Sequence, residues 1–252
     1  MIDLSVVIRF GLLLVRPGML VMVAPPLGGT FAPTPVKVAI TVLLALVLAP
    51  TVGVPAPTSD VSLTLIIARE VVIGLSLGLA VRAIIAAAEL GGHLSGYQIG
   101  FSYAATIDPV SGVRNSVITS LYGLLAMLAF FAVNGHHQIL RAMVASYEGL
   151  PIGGGHIDAS ILSGVQQIFG LIFIVGIRLA APLVLVLLIV ELAVGLVSRS
   201  APSLNFMIVG YPVRLLVGLL VLAATVGTVP QVIATVVDQA IGLGLDLAAA
   251  FR

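Results

Sequence analysis

Charged residues embedded in long apolar runs constrain this chain more than any other feature of its sequence. Six stretches are strongly apolar: 4–24, 36–52, 61–90, 116–133, 161–197 and 207–247. About 20 apolar residues in a helix are enough to cross the hydrocarbon of a bilayer. Proline or glycine stands near the edges of most of them, as at Pro25-Pro26, Pro33, Pro35, Pro50, Gly91-Gly92 and Asn134-Gly135, which is ordinary helix punctuation. Only 8% of the residues are charged and 60% are hydrophobic, with a mean hydropathy of +1.25. A soluble domain carries about 25% charged residues, so polar groups cannot cover this surface and its solvent is lipid or other protein. In lipid the backbone has to satisfy its own hydrogen bonds, and helices do this without partners. The fold expected is all-α: a membrane protein of about six apolar helices in one helical domain over residues 1–252, some helices long, kinked or folded into hairpins, assembling with partner subunits.

The last two runs exceed the length of a single span, and prolines interrupt them: Pro182 in one, Pro212 and Pro230 in the other. Each is expected either to bend or to fold back as a hairpin. The start of the chain reads as a retained first helix, because Asp3 precedes the apolar core and Arg9 and Arg16 lie within it, unlike a cleaved signal.

Composition excludes several chemistries. The net charge is +1 and basic residues do not cluster, which argues against nucleic acid. Cysteine is absent, so disulfides, thiolate metal sites and cysteine nucleophiles are excluded. Of the four histidines, His136 and His137 are adjacent and would point about 100° apart on a helix, while His93 and His156 lie in other segments. None has a carboxylate three or four residues after it, so spacing of the His-Glu-x-x-His kind is absent. Ser95 follows His93, but there is no Gly-x-Ser-x-Gly elbow, and the Gly153-Gly154-Gly155 run is not followed by Lys-Ser/Thr. No catalytic residue, metal or cofactor is expected.

Within the third run, Glu70, Gly74, Gly78, Arg82 and Ala86 recur every fourth residue and share one helical face. Gly-x-x-x-Gly lets another backbone approach closely, and a charge left in hydrocarbon costs about 2.5–3.5 kcal/mol. The stripe is therefore addressed to protein. It is either a seam with a partner subunit, bordering a water-filled path, or an intramolecular helix pair with a satisfied ion pair. Arg16, Arg178 and Glu191 repeat the theme. Arg178 and Glu191 are too far apart on one helix to pair, so each needs an acceptor elsewhere or a place near a helix end where it can snorkel. Residues 100–112 are too apolar for a solvated loop and too interrupted for a span. At membrane depth such a segment is tolerated only inside protein or lining a cavity, as a gate element or a re-entrant structural loop.

Five motifs in order resemble one family over essentially the whole chain. They are Glu70-x-x-x-Gly74-x-x-x-Gly78; Gly96-x-x-x-Gly100 with Asp108-Pro109; Asn134-Gly135-His136; Leu150-Pro151-Ile152-Gly153; and Arg199-x-Ala201-Pro202-x-x-Asn205 leading to Gly210-Tyr211-Pro212. The chain resembles the FliR/SctT family of type III secretion export-gate subunits, with the flagellar form favoured over the injectisome form. Two positions depart from the family pattern: Tyr211, where Phe is usual, and His137, where an apolar residue is usual.

The resemblance implies a non-enzymatic subunit of the export channel in the bacterial inner membrane, within the flagellar basal body or injectisome base. It also implies partners, namely FliP-like and FliQ-like membrane subunits, and unfolded proteins as exported substrates. It implies a pore plug over the loop from Phe101 to Asn115, with Phe101, Tyr103, Ile107 and Val110 as its apolar face and Asp108 and Pro109 setting its turn. Assembly contacts are expected at Glu70, Gly74, Gly78, Arg82, Arg199, Pro202, Asn205 and Pro212. The alternative is a self-sufficient proton-coupled secondary transporter or channel, with Glu70, Arg82 and Glu191 along the proton path.

Overall fold

A computed structural model describes residues 4–25, 27–28, 32–52, 63–101, 117–152, 160–200 and 206–251. Among these, every regular element is a helix: α1 Leu4–Val23, α2 Thr34–Leu48, α3 Leu63–Ile99, α4 Val117–Ala132, α5 Gly135–Gly149, α6 Ser160–Ser200, α7 Phe206–Thr225 and α8 Thr228–Ala249. By length and composition α3, α6 and α8 can each cross a membrane. The pair α4 and α5, bent by 67°, is long and apolar enough only when the two helices are taken together, as a broken span or a re-entrant loop.

Several expected boundaries move for identifiable reasons. The third run does not stop at Gly91-Gly92; α3 continues to Ile99. A Cβ on Gly91 would lie 2.8 Å from the Leu179 Cβ, and one on Gly92 would lie 2.8 Å from the Thr119 Cα and 2.9 Å from the Ile118 carbonyl. The two glycines are points where α6 and α4 press against α3, not a break in it. The true end is a Schellman turn: Phe101 N–H donates to the Gly96 carbonyl, Gly100 N–H donates to Tyr97, and Gly100 takes φ +107°. The sixth run resolves into two helices separated at Val226-Gly227. Pro230 falls in the first turn of α8, where its missing N–H costs nothing. The fifth run is one continuous 41-residue helix through Pro182.

The chain clusters into two compact units, and α3, α4, α6 and α8 each contribute residues to both. Unit 1 is Met1–Ile84, Phe130–Leu171 and Val236–Arg252. Its core includes Leu13 and Leu20 of α1, Leu77 and Ile84 of α3, Ile139 and Met143 of α5, and Ile168 of α6. The expected amphipathic segment near 138–147 is α5, whose buried residues Ile139, Ala142, Met143, Ser146 and Tyr147 follow helical spacing. At its start Asn134 adopts the left-handed region (φ 56°) and Gly135 lies under the buried Phe130 ring, where a Cβ would come within 2.5 Å of Cε2. That contact and that φ produce the bend between α4 and α5.

Unit 2 is Ile85–Ala129 and Ile172–Thr235. Its core draws on Ile99, Tyr122, Ala126, Leu179, Leu183, Leu187 and Ile233. The α6 face in this unit leaves Phe173, Ile174, Ile177, Leu185, Ile189 and Leu192 exposed, an apolar surface suited to lipid or to another subunit.

Candidate functional site

The strongest polar constellation lies in unit 1, where two charges from separate apolar runs meet. Arg16 of α1 is completely buried and Glu70 of α3 is 1% exposed. The guanidinium grips the carboxylate with two bonds: Nε donates to Oε2 at 2.8 Å and Nη2 to Oε1 at 3.0 Å. Nη1 donates to the Ser146 Oγ at 2.9 Å, and Nη2 also donates to the Leu150 carbonyl at 3.0 Å. The Ser146 hydroxyl in turn donates to the Met143 carbonyl at 2.6 Å. The Tyr147 ring centroid lies 4.0 Å from the guanidinium carbon, a cation–π contact strengthened by the burial of both side chains.

Tyr147 has a second task. Pro17 stands inside α1 and has no N–H to donate to the Leu13 carbonyl one turn earlier. The Tyr147 hydroxyl donates to that carbonyl at 3.3 Å. A proline inside an apolar helix is tolerable when a neighbouring side chain satisfies the freed backbone group. One tyrosine thus covers the charge of residue 16 and the defect caused by residue 17.

The glycine stripe beside Glu70 faces α1 of the same chain. A Cβ on Gly74 would come within 2.5 Å of the Arg16 carbonyl and 2.9 Å of the Met19 Cβ; one on Gly78 would come within 2.9 Å of the Val23 Cβ. The close approach allowed by these glycines brings Arg16 within reach of Glu70. In this chain the stripe therefore makes an intramolecular helix pair with an ion pair. Arg82, one turn further on, is half-buried.

Unit 2 holds a looser cluster. Glu191 of α6 pairs with Arg214 of α7 at 3.0 Å and accepts from the Gln98 amide at 3.4 Å, while the Arg214 Nε donates to the Gln98 carbonyl in the last turn of α3. The side chains of Arg214 and Glu191 are 28% and 39% exposed, so water weakens this pair. Tyr211 packs against the terminal Gly100 of α3, its ring 3.1 Å from where a Cβ would be.

Of the other expected site residues, Phe101 emerges exposed immediately after the Schellman turn. Tyr103, Ile107, Asp108, Pro109, Val110, Pro202 and Asn205 lie outside the described residues. Arg199 is exposed in the last turn of α6, and Pro212 is exposed inside α7. The rings of His136 and His137 meet at the start of α5 with centroids 4.2 Å apart and planes inclined by 40°. Among the described residues no three histidines or carboxylates come together as a metal site. Sequence reasoning missed Ser146, Tyr147 and the role of Pro17. A signal was available, since two buried opposite charges and a helix-interior proline each demand a partner.

Neither cluster is built for bond-making. The Arg16 donors are committed to four acceptors and Glu70 to one cation, which leaves no free base, nucleophile or open coordination position in this node. It is a clamp fastening α1 to α3, to α5 and to the turn after α5.

Residues 7–240 match the family described as bacterial export proteins, family 1. The chain is similar to the flagellar biosynthetic protein FliR of Escherichia coli (strain K12), at 32% identity over 216 residues, which are 84% of this chain and 81% of that protein. It is also similar to the protein of the same name from Bacillus subtilis (strain 168), at 28% identity, covering 90% of this chain and 89% of that one. The Caulobacter vibrioides protein of that name is 29% identical, with 88% and 89% covered.

Proposed function

The chain belongs to the bacterial export proteins of family 1, the FliR/SctT family, and from that premise we propose that it is a non-enzymatic subunit of the flagellar export apparatus, built into the export channel in the bacterial inner membrane. The observation that carries the reading is the family match over residues 7–240, joined by relatives named for flagellar biosynthesis along more than four-fifths of their length. Among the described residues α3, α6 and α8, each long and apolar enough to cross a membrane, support a membrane-embedded place for it.

Its partners on this reading are FliP-like and FliQ-like membrane subunits, and its substrates are unfolded proteins in transit. Residues 1–252 act as one export-gate domain. The loop after α3 acts as a plug that helps close the channel, with Phe101, Tyr103, Ile107 and Val110 as its apolar face and Asp108-Pro109 as its turn. Two features of the chain support this assignment. The Schellman turn at Gly100 stops a 37-residue helix abruptly, and Phe101, immediately after it, is exposed. The clamp at Arg16 and Glu70 fits a scaffold that holds helices still while a loop moves.

The test is genetic and direct. The full chain is expressed in a flagellated host whose own relative has been deleted, and secreted flagellar protein and swimming are measured. Restored secretion is expected. A chain present in the membrane at normal level with no secretion, and absent from complexes with the other export subunits, would overturn the reading.

A further inference from the structure

Arg178 is a charge to which the described residues offer no counter-charge. It lies in the unit 2 part of α6, its side chain exposed, and residues 168–190 around it contain no other charged or amide side chain. Among the described residues no carboxylate pairs with it, in contrast to Arg16 and Arg214. The apolar stretch extends about ten residues to one side of it and about twelve to the other, so the guanidinium lies about 15 Å or more along the helix from either edge. That is beyond the distance over which an arginine head snorkels to an interface.

The backbone adds a second demand at the same place. Pro182 has no N–H to donate to the Arg178 carbonyl, the acceptor one turn before it. Guanidinium donors and a carbonyl deprived of its usual donor therefore occupy one level of the helix. Around them the exposed side chains are Ile174, Ile177, Leu185 and Ile189, an apolar face with a cation near its centre.

We propose that this face of α6 docks an apolar helix of another membrane subunit of the export apparatus, and that this helix presents an aspartate or glutamate to Arg178. Charge complementarity selects the occupant. Lipid tails offer the guanidinium no acceptor, and an apolar helix without an acid would bury it unpaired. A helix with one carboxylate at this level satisfies the charge while its apolar side covers the isoleucines and leucines. A hydroxyl within a turn of that acid would answer the free carbonyl. The proposal rests on the export-subunit reading above and adds the face and the residue through which the contact is made.

The experiment co-expresses the full chain with the membrane subunits of a flagellar export apparatus. A photo-crosslinking phenylalanine analogue replaces Ile174 or Ile177, and crosslinked peptides are identified by mass spectrometry. The expected product joins this chain to an apolar helix of a different export subunit, with an acid within one turn. Arg178→Leu should lower recovery of the complex by about tenfold or more, because the partner's acid is left unpaired. The chain itself should unfold as before, since the side chain is exposed and pairs with no carboxylate among the described residues. Arg178→Glu with an arginine at the partner's acidic position should restore recovery. Crosslinks only to lipid or only to a second copy of this chain would overturn the proposal. So would Arg178→Leu complexes recovered at the wild-type level. Failure of the underlying reading looks different: the wild-type chain would then join no export subunit at all.

Discussion

Removing the Glu70 carboxylate isolates what the clamp contributes. In Glu70→Ala the completely buried Arg16 keeps Ser146, the Leu150 carbonyl and the Tyr147 ring, but loses the only anion that it contacts among the described residues. Breaking a buried pair from one side costs about 3–5 kcal/mol, because a charge remains without a counter-charge. For a chain of this size that corresponds to a fall in melting temperature on the order of 10 °C. Replacing both partners by apolar side chains of similar volume, as in Arg16→Met with Glu70→Leu, should cost far less than the sum of the single changes, since no orphaned charge is left. The assay is a double-mutant cycle on the full chain purified in detergent, with unfolding followed by heat and by denaturant. Single changes that each cost under about 1 kcal/mol, or a double change equal to their sum, would show that the two groups do not depend on each other and would refute the clamp.

The remaining expectations test separate joints of the structure. Tyr147→Phe keeps the ring over Arg16 but strands the Leu13 carbonyl freed by Pro17, and should cost about 1–3 kcal/mol in the same unfolding assay. Gly74→Ala drives a Cβ to 2.5 Å from a backbone carbonyl and should destabilise the chain by about 1–3 kcal/mol. Gly170→Ala, with nothing within 4 Å, should be neutral or stabilise by up to about 1 kcal/mol; equal effects would remove the close-approach argument. Glu191→Gln acts on a half-exposed pair and should change stability by less than about 1 kcal/mol. Shortening the loop that begins at Phe101, through Val110, should let the assembled closed channel leak ions in a conductance measurement, and unchanged conductance would count against the plug.

The Gly74 expectation also shows how the structure redirects an argument from sequence. Read along the chain, the Gly-x-x-x-Gly stripe could serve a partner subunit or a neighbouring helix of the same chain. With α1 seated on Gly74 and Gly78, a bulky residue there strikes α1 of this same chain. Gly91 and Gly92 show the reverse error. A Gly-Gly pair after a long apolar run reads as a stop, yet a glycine that ends a helix and a glycine that admits a crossing helix look identical in one dimension. Only the facing residues, Leu179 and Thr119, distinguish them.

What the sequence determined by itself follows from local physics. Low charge and long apolar runs require helices in a non-aqueous setting, Asn134-Gly135 requires a break, and the spacing around Gln138–Tyr147 requires one buried face. Each of these depends on neighbours within a few positions. Tertiary structure alone decided which charge answers which. Arg16 and Glu70 are 54 positions apart, and Glu191 finds its cation on α7 and not on its own helix. Pairing across helices depends on their rotation, crossing distance and offset, and a glycine or proline anywhere between can change all three. The linear pattern shows only that a buried charge needs an acceptor; packing determines where that acceptor stands.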